Sequence, residues 1–307
     1  MSPPDHLARV LEAGFGTVDV RPAGEGGDHV AWHVRAGDGA WVVRVPRSEG
    51  PDGGDGSPGT AAGREVAVLD LVRREVGRWA PEARLLDAAA GVTACRWVAG
   101  TPLQERLAAG AVGPADAARL GEELGAFIRD VAAVEVAGGH AVEVVVDDAP
   151  LAEWRSGTVD LVPAVASALA AAAVGRIEAF LAADPPPDAV RHHLVLAHND
   201  LGAEHVVVDD ELAVVGVIDW SDSAMADPAG DLGRVLRDLG ETAFDRALDA
   251  VAGAQAATDR AARRALSARA RYLARCLAVE DLAYAIDRRP DLVALGRRNV
   301  ERLFSGD

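Results

Sequence analysis

The chain has 307 residues, 48 acidic against 31 basic, for a formal charge of −17; this disfavours a nucleic-acid partner, because phosphate backbones bind through positive charge and counterion release. Half of the residues are hydrophobic, enough for packed cores and too many for a disordered chain, and at roughly 150 residues per domain two lobes are expected. The longest weakly interrupted apolar run, 161–174, contains Pro163 and Ser167 and falls short of the ~20 residues a bilayer requires, while the opening MSPPDHLARV has no charged region followed by an apolar one, so a soluble, cytoplasmic protein with no membrane partner is expected.

The first predicted elements are two strands between Val30 and Pro46. Val30, Trp32 and Val34 alternate with smaller or polar residues, Trp41, Val43 and Val45 alternate with Val42 and Arg44, and the Gly-Asp-Gly of 37–39 supplies a hairpin turn. The segment 48–60, SEGPDGGDGSPGT, has little to bury and reads as an exposed loop. A helix is predicted over 61–78, with Val66, Leu69, Val72, Arg73 and Val76 facing the preceding sheet. From Cys95 to Leu103 a strand runs into a Gly-x-Pro turn. Pro114 then starts a helix whose buried stripe is Leu120, Leu124, Phe127, Ile128 and Val131. One further helix is predicted over 164–183, short strands over 194–197, 206–208 and 214–218, and helices throughout 242–304. The result is a small β lobe, 1–98, followed by a larger and mainly helical one, 99–307.

Cys95 and Cys276 lie far apart and are expected to be reduced and buried. All 31 cationic residues are arginine, which excludes Schiff-base chemistry and a lysine-bearing phosphate loop. The chemistry-bearing stretch is 196–234: His198-x-Asp200, His205 five residues later, and Asp219 behind the apolar run 214–218. Each residue alone could be an ordinary turn or half-buried group, but as a spaced set they gather acid-base and metal-binding side chains at strand ends.

The set resembles the catalytic centre of the aminoglycoside and macrolide phosphotransferases, small-molecule relatives of the protein kinases. Their pattern of His-x-Asp, four residues, Asn or His, Ile-Asp-Trp/Phe and Asp-Pro-x-x-Asp is matched by His198-Asn199-Asp200, His205, Ile218-Asp219-Trp220 and Asp227-Pro228-Ala229-Gly230-Asp231. The resemblance implies a bilobal α+β fold of protein-kinase type and ATP- or GTP-dependent, magnesium-assisted phosphoryl transfer to a hydroxyl of a small antibiotic. On that basis Asp200 is the catalytic carboxylate, Asp219 and His205 are metal ligands, and His198 and Asp231 support the loop. Histidine at 205 departs from the kinase-like asparagine, and the macrolide branch looks similar there.

The same resemblance assigns the nucleotide to Gly26, Gly27 and Asp28, whose backbone could approach phosphates, to Arg44 in place of the kinase lysine, to Glu65 as its ion-pair partner, and to Arg96, Trp97 and Val98 at the purine. An acceptor pocket is expected on helix 266–287, where Leu273, Leu277, Glu280 and Tyr284 share a stripe and Asp281 lies beside it; a cationic ligand would satisfy the carboxylate, as would Arg271, Arg275 or Arg288. Asp147, Asp148 and Glu153 read as an exposed acidic cluster. Competing readings are a kinase of an amino alcohol or sugar, a pseudokinase that binds nucleotide without turnover, and a metal-dependent phosphohydrolase.

Overall fold

The computed structural model describes residues 3–25, 29–47, 58–136, 142–189, 193–253 and 259–305. The chain divides into two compact units, one of residues 1–99, 136–144 and 215–223, the other of 100–135, 145–214 and 224–307.

The first unit opens with α1 (Asp5–Phe15), absent from the sequence reading because only Leu7 and Leu11 of this short helix enter the core. Next come β1 (Asp19–Glu25), the hairpin β2 (His29–Ala36) and β3 (Gly39–Pro46), α2 (Pro58–Val76), β4 (Ala83–Asp87) and β5 (Val92–Arg96). The strands form one antiparallel sheet in the order β1-β2-β3-β5-β4. Strand alternation sends Trp41 and Val43 into a core with Leu7, Leu11, Trp32, Val34, Val92 and Ala94, and turns Arg44 to the opposite face. Helix α2 packs on β4 and β5, and its buried side consists of Ala62, Glu65, Val68, Leu69, Leu71 and Val72. The predicted stripe is corrected in part: Arg73 is exposed and Val66 only half-buried. A helix resting on a twisted sheet selects the residues one position around its circumference, and this brings Glu65 inside.

The second unit contains β6 (Thr101–Pro102), α3 (Leu103–Ala108), α4 (Pro114–Ala132), β7 (Val145–Val146), α5 (Leu151–Val165), α6 (Ala171–Ala182), β8 (Val195–Ala197) and β9 (Val206–Val208). After β10 (Val214–Val217), which starts here and ends in the first unit, come β11 (Ala224–Ala226), α7 (Ala229–Leu239), α8 (Glu241–Ala252), α9 (Arg260–Arg288) and α10 (Val293–Leu303). The helix predicted over 164–183 is two helices. Leu169 and Ala170 are extended between them, and the reversal lets Val165 from one and Ile177 and Leu181 from the other join Leu282, Val300 and Phe304 in a single core. An alanine-rich run carries no side-chain signal for such a break. The α4 stripe is buried as predicted.

Helices α4 and α8 approach closely because Gly121 and Gly125 face α8: a Cβ on either would lie 2.6 Å from the Cα of Ala243 or Ala247. We expect Gly121→Ala and Gly125→Ala each to cost about 1–3 kcal/mol from overpacking, measured by urea unfolding. Cys95 and Cys276 are both free; Cys276 is buried and Cys95 half-buried. Burial pushes their thiols up to about 11 and about 12 respectively, so neither is a thiolate at neutral pH. Among the described residues no helix is long and apolar enough to cross a membrane.

Candidate active site

In the first unit the strand register that buries Trp41 leaves Arg44 on the face covered by α2. Its Nη1 donates to Glu65 Oε1 at 2.7 Å and lies 3.1 Å from Asp219 Oδ1. Burial lowers the guanidinium pKa, but Glu65 and Asp219 outweigh it and hold the group charged. Desolvation raises the Glu65 carboxyl, opposed by Arg44 and assisted by Asp219. One cation thus bridges two carboxylates that lie far apart in sequence, both through a single guanidinium nitrogen. Asp219 follows β10 in left-handed backbone, φ 60°, a conformation that Asp tolerates better than most residues. Its side chain is 40% exposed, and Oδ1 also accepts the Ser221 hydroxyl at 3.0 Å.

The nearby nucleotide candidates divide. Gly26, Gly27 and Asp28 lie outside the described residues. The Arg96 side chain is committed elsewhere: it donates to the Asp38 carbonyl at 2.7 Å and to Glu82 at 3.0 Å, and stacks over Trp41. The Trp97 amide donates to the Ala40 carbonyl, and its ring is 44% exposed with its edge toward His33. Val98 lies against Gly216.

In the second unit the loop between β8 and β9 carries the other group. His198 is fully buried, and its Nδ1 accepts the Asp200 amide at 3.3 Å, so the ring braces the turn from within. Asn199 is left-handed, φ 67°, and its amide donates to Asp147 Oδ2 at 2.8 Å. Asp147, expected to be exposed, is therefore half-buried and holds the loop. His205 Nδ1 bonds the Asp200 carbonyl oxygen at 2.8 Å and lies 3.3 Å from Asp200 Oδ2. With Nδ1 as the donor, a neutral ring keeps its lone pair on Nε2, the tautomer a metal ligand requires. Among the described residues no three His, Cys, Asp or Glu side chains gather into a metal cluster. One carboxylate with water and phosphate oxygens is nevertheless how magnesium is ordinarily held, and Asp219 fits that role.

Asp231, in the first turn of α7, accepts the His198 amide at 3.1 Å and also the amides of Asn199 and Leu201. Burial raises its carboxyl to about 6 despite Arg234 and these bonds. A raised acid contributes stability below its unfolded value, near 4, and loses it as pH rises through 6. Asp231→Asn, which can still accept the amide bonds, is therefore expected to flatten the pH 4–7 stability profile by on the order of 2 kcal/mol, measured by urea unfolding across that range.

The acceptor-side candidates need correction. Glu280 is exposed and Tyr284 is 56% exposed, because beyond Leu277 the buried face of α9 passes to Ala278, Val279, Leu282 and Ala283. Asp281 finds its cation on α7 and not among Arg271, Arg275 and Arg288: Arg237 Nη1 lies 3.0 Å away. Burial lowers the Arg237 guanidinium pKa, but Asp238, Asp281 and Glu204 keep it charged. Desolvation raises the Asp281 carboxyl to about 7, opposed by Arg237. Asp281 and Tyr284 line a cavity of about 280 Å³ together with Glu204, His205, Asp238 and Asn299. A smaller cavity of about 60 Å³ lies at the Asn199 side of the loop, lined by Asp147, Trp154 and Arg234 among others.

The sequence reading missed Arg234. Its Nε and Nη2 each lie 3.1 Å from Asp200 Oδ1. The available signal was its place three residues after Asp231, one helical turn along the same face.

A sequence model of the phosphotransferase enzyme family matches residues 19–266. No curated protein matches the chain. Among solved structures it is similar to the GDP and kanamycin complex of APH(2")-IIia, with 20% identity, TM-score 0.62 and 98% of each chain covered. A macrolide 2'-phosphotransferase type I aligns with 20% identity and TM-score 0.58 over 96% of this chain and 95% of that one. The macrolide 2'-phosphotransferase MphH from Brachybacterium faecium aligns with 22% identity and TM-score 0.59 over 99% of both. These likenesses identify the fold as kinase-like, with an N-terminal antiparallel-sheet lobe and a mostly helical C-terminal part. The family match covers most of the chain, including both carboxylate-bearing turns, and the chain belongs to the phosphotransferase enzyme family.

Proposed function

We propose that the protein is an ATP- or GTP-dependent O-phosphotransferase acting on a hydroxyl of a small antibiotic, an aminoglycoside or a macrolide, and that it confers resistance in the cytoplasm. The observation that carries this reading is the Asp200 carboxylate, held between Arg234 and His205, in a chain whose Arg44 is paired with Glu65 and Asp219. Phosphoryl transfer passes through a loose transition state, so the protein mainly positions reactants and neutralises charge. The acceptor oxygen bonds to the γ-phosphorus, the bond from that phosphorus to the nucleoside diphosphate breaks, and Asp200 orients the hydroxyl and receives its proton.

Residues 1–98 serve the nucleotide in this reading, with Arg44 on its phosphates, Glu65 fixing Arg44, and Arg96, Trp97 and Val98 beside the purine. Residues 99–307 supply catalysis and the acceptor site, with Asp281 and Tyr284 at the cavity wall. Asp219 would hold magnesium, which would supply charge neutralisation at the phosphates when bound. The GDP and kanamycin of the similar structure support both the nucleotide and a hydroxylated, cationic acceptor. The added phosphate brings about −1.5 to −2 charge to the drug, which would spoil its fit to a target that expects a hydroxyl.

The test incubates purified protein with magnesium and γ-labelled ATP or GTP, adding kanamycin, gentamicin, streptomycin, macrolides, amino alcohols or sugars in turn. Label on an antibiotic supports the proposal. Label only on an amino alcohol or sugar would make it a metabolite kinase. Nucleotide binding without transfer to any acceptor would indicate a pseudokinase, and acceptor-independent release of phosphate a hydrolase.

A further inference from the structure

Asp200 carries one tight anchor. Arg234 projects from α7 with its side chain only 10% exposed, and both Nε and Nη2 meet the same oxygen, Oδ1, at 3.1 Å. The third nitrogen, Nη1, reaches back to the Gly230 carbonyl at 3.4 Å, tying the guanidinium to its own helix. The second carboxylate oxygen, Oδ2, has a longer contact, 3.3 Å to His205 Nδ1, and that nitrogen is closer to the Asp200 carbonyl oxygen at 2.8 Å.

A buried arginine three residues after a buried aspartate would be expected to pair with it. Among the described residues, Asp231 Oδ1 has no hydrogen-bond partner, although Arg234 acts on Asp231 electrostatically. The Nε hydrogen bond of Arg234 and the ion pair of its Nη2 go to Asp200. We propose that Arg234 is a positioning residue that locks the Asp200 side chain through Oδ1 and so reserves Oδ2 for the acceptor hydroxyl. This rests on the reading of Asp200 as the carboxylate that meets that hydroxyl.

Where the transition state is loose and the hydroxyl proton leaves late, orientation of the carboxylate matters more than its strength as a base. A carboxylate free to rotate about χ1 and χ2 would present a hydroxyl with several geometries, and only one is in line with the leaving group.

The test compares wild type, Arg234→Ala, Arg234→Lys, Asp200→Asn and the Arg234→Ala/Asp200→Asn double variant, with magnesium–ATP or magnesium–GTP as donor and an antibiotic that the wild type phosphorylates. We expect Arg234→Ala to lower kcat roughly 10–100-fold with the nucleotide KM within about twofold of wild type. In the Asp200→Asn background the same substitution should change kcat by less than about twofold. Methylguanidinium in the buffer should restore part of the Arg234→Ala rate. Should Arg234→Ala fail to fold, Arg234→Lys, which keeps the charge and loses the fork, should retain an intermediate kcat.

Wild-type kcat in Arg234→Ala or Arg234→Lys, or an equal loss in both Asp200 backgrounds, would overturn the positioning role and leave the phosphotransferase reading intact. A wild type that transfers phosphate to none of the acceptors would overturn both.

Discussion

Replacing Asp200 with alanine should lower kcat by about 10²–10⁴, the range for loss of a positioned acid-base group, while leaving nucleotide affinity within about twofold of wild type. The separation is expected because, among the described residues, Asp200 contacts its own loop and Arg234, whereas the cation proposed for the nucleotide phosphates, Arg44, belongs to the other unit. Asp200→Asn is the sharper control. It preserves shape and can still accept from Arg234, but it removes the charge and the capacity to take the hydroxyl proton. A variant that retains wild-type turnover would show that Asp200 is not the reacting carboxylate. Isothermal titration with magnesium–ADP and steady-state kinetics on the same preparations separate the two quantities.

Arg44→Ala should damage both stability and nucleotide binding. Glu65 has only 6% of its side chain exposed and faces Arg44 at 2.7 Å, so removing the cation leaves a buried carboxylate uncompensated, at a cost of about 3–5 kcal/mol. Asp219 loses the same partner, but at 40% exposure water can replace much of that interaction. Adding Glu65→Gln to the Arg44→Ala variant should recover part of the lost stability, because the stranded charge disappears with it. It should not recover nucleotide affinity, expected to fall ~10–100-fold with the loss of a charge-assisted contact worth about 1.5–3 kcal/mol. If Arg44→Ala binds magnesium–ADP as tightly as wild type, the arginine is a structural bridge and not a phosphate ligand. Arg44→Lys should lie between the two, since it keeps the charge as a compact, strongly hydrated ammonium on a different stem.

The pH behaviour of the second unit bears on how such variants are compared. Asp231 at about 6 and Asp281 at about 7 are both raised acids, so each favours the folded state most at acidic pH and progressively less as pH rises through its value. Stability comparisons between variants of this loop therefore belong at one fixed pH.

Residue types and local periods were enough to read the hairpin at 30–46, the buried face of α4, and the short strands that flank His198, Asp200 and His205. Strand alternation and helical repeat act over a few residues, and the spacing of His198, Asp200 and His205 is itself a local pattern. Even the pairing of Arg44 with Glu65, which the structure contains, came from a family pattern and not from spacing alone. What failed were inferences that needed to know which neighbour lies across a gap. The break at Leu169 and Ala170, the exposure of Glu280, the meeting of Asp281 with Arg237 and the hold of Asp147 on Asn199 are all set by docking of elements from distant parts of the chain. The grip of Arg234 on Asp200 is of the same kind. The two are 34 positions apart, and whether a buried arginine chooses the aspartate one turn away or the one on another loop depends on how α7 seats against β8 and its following turn. Hydrophobic pattern fixes which side of an element is buried, but ion pairs between elements are decided by rotation and offset of a fraction of a turn, and only the packed tertiary structure sets those.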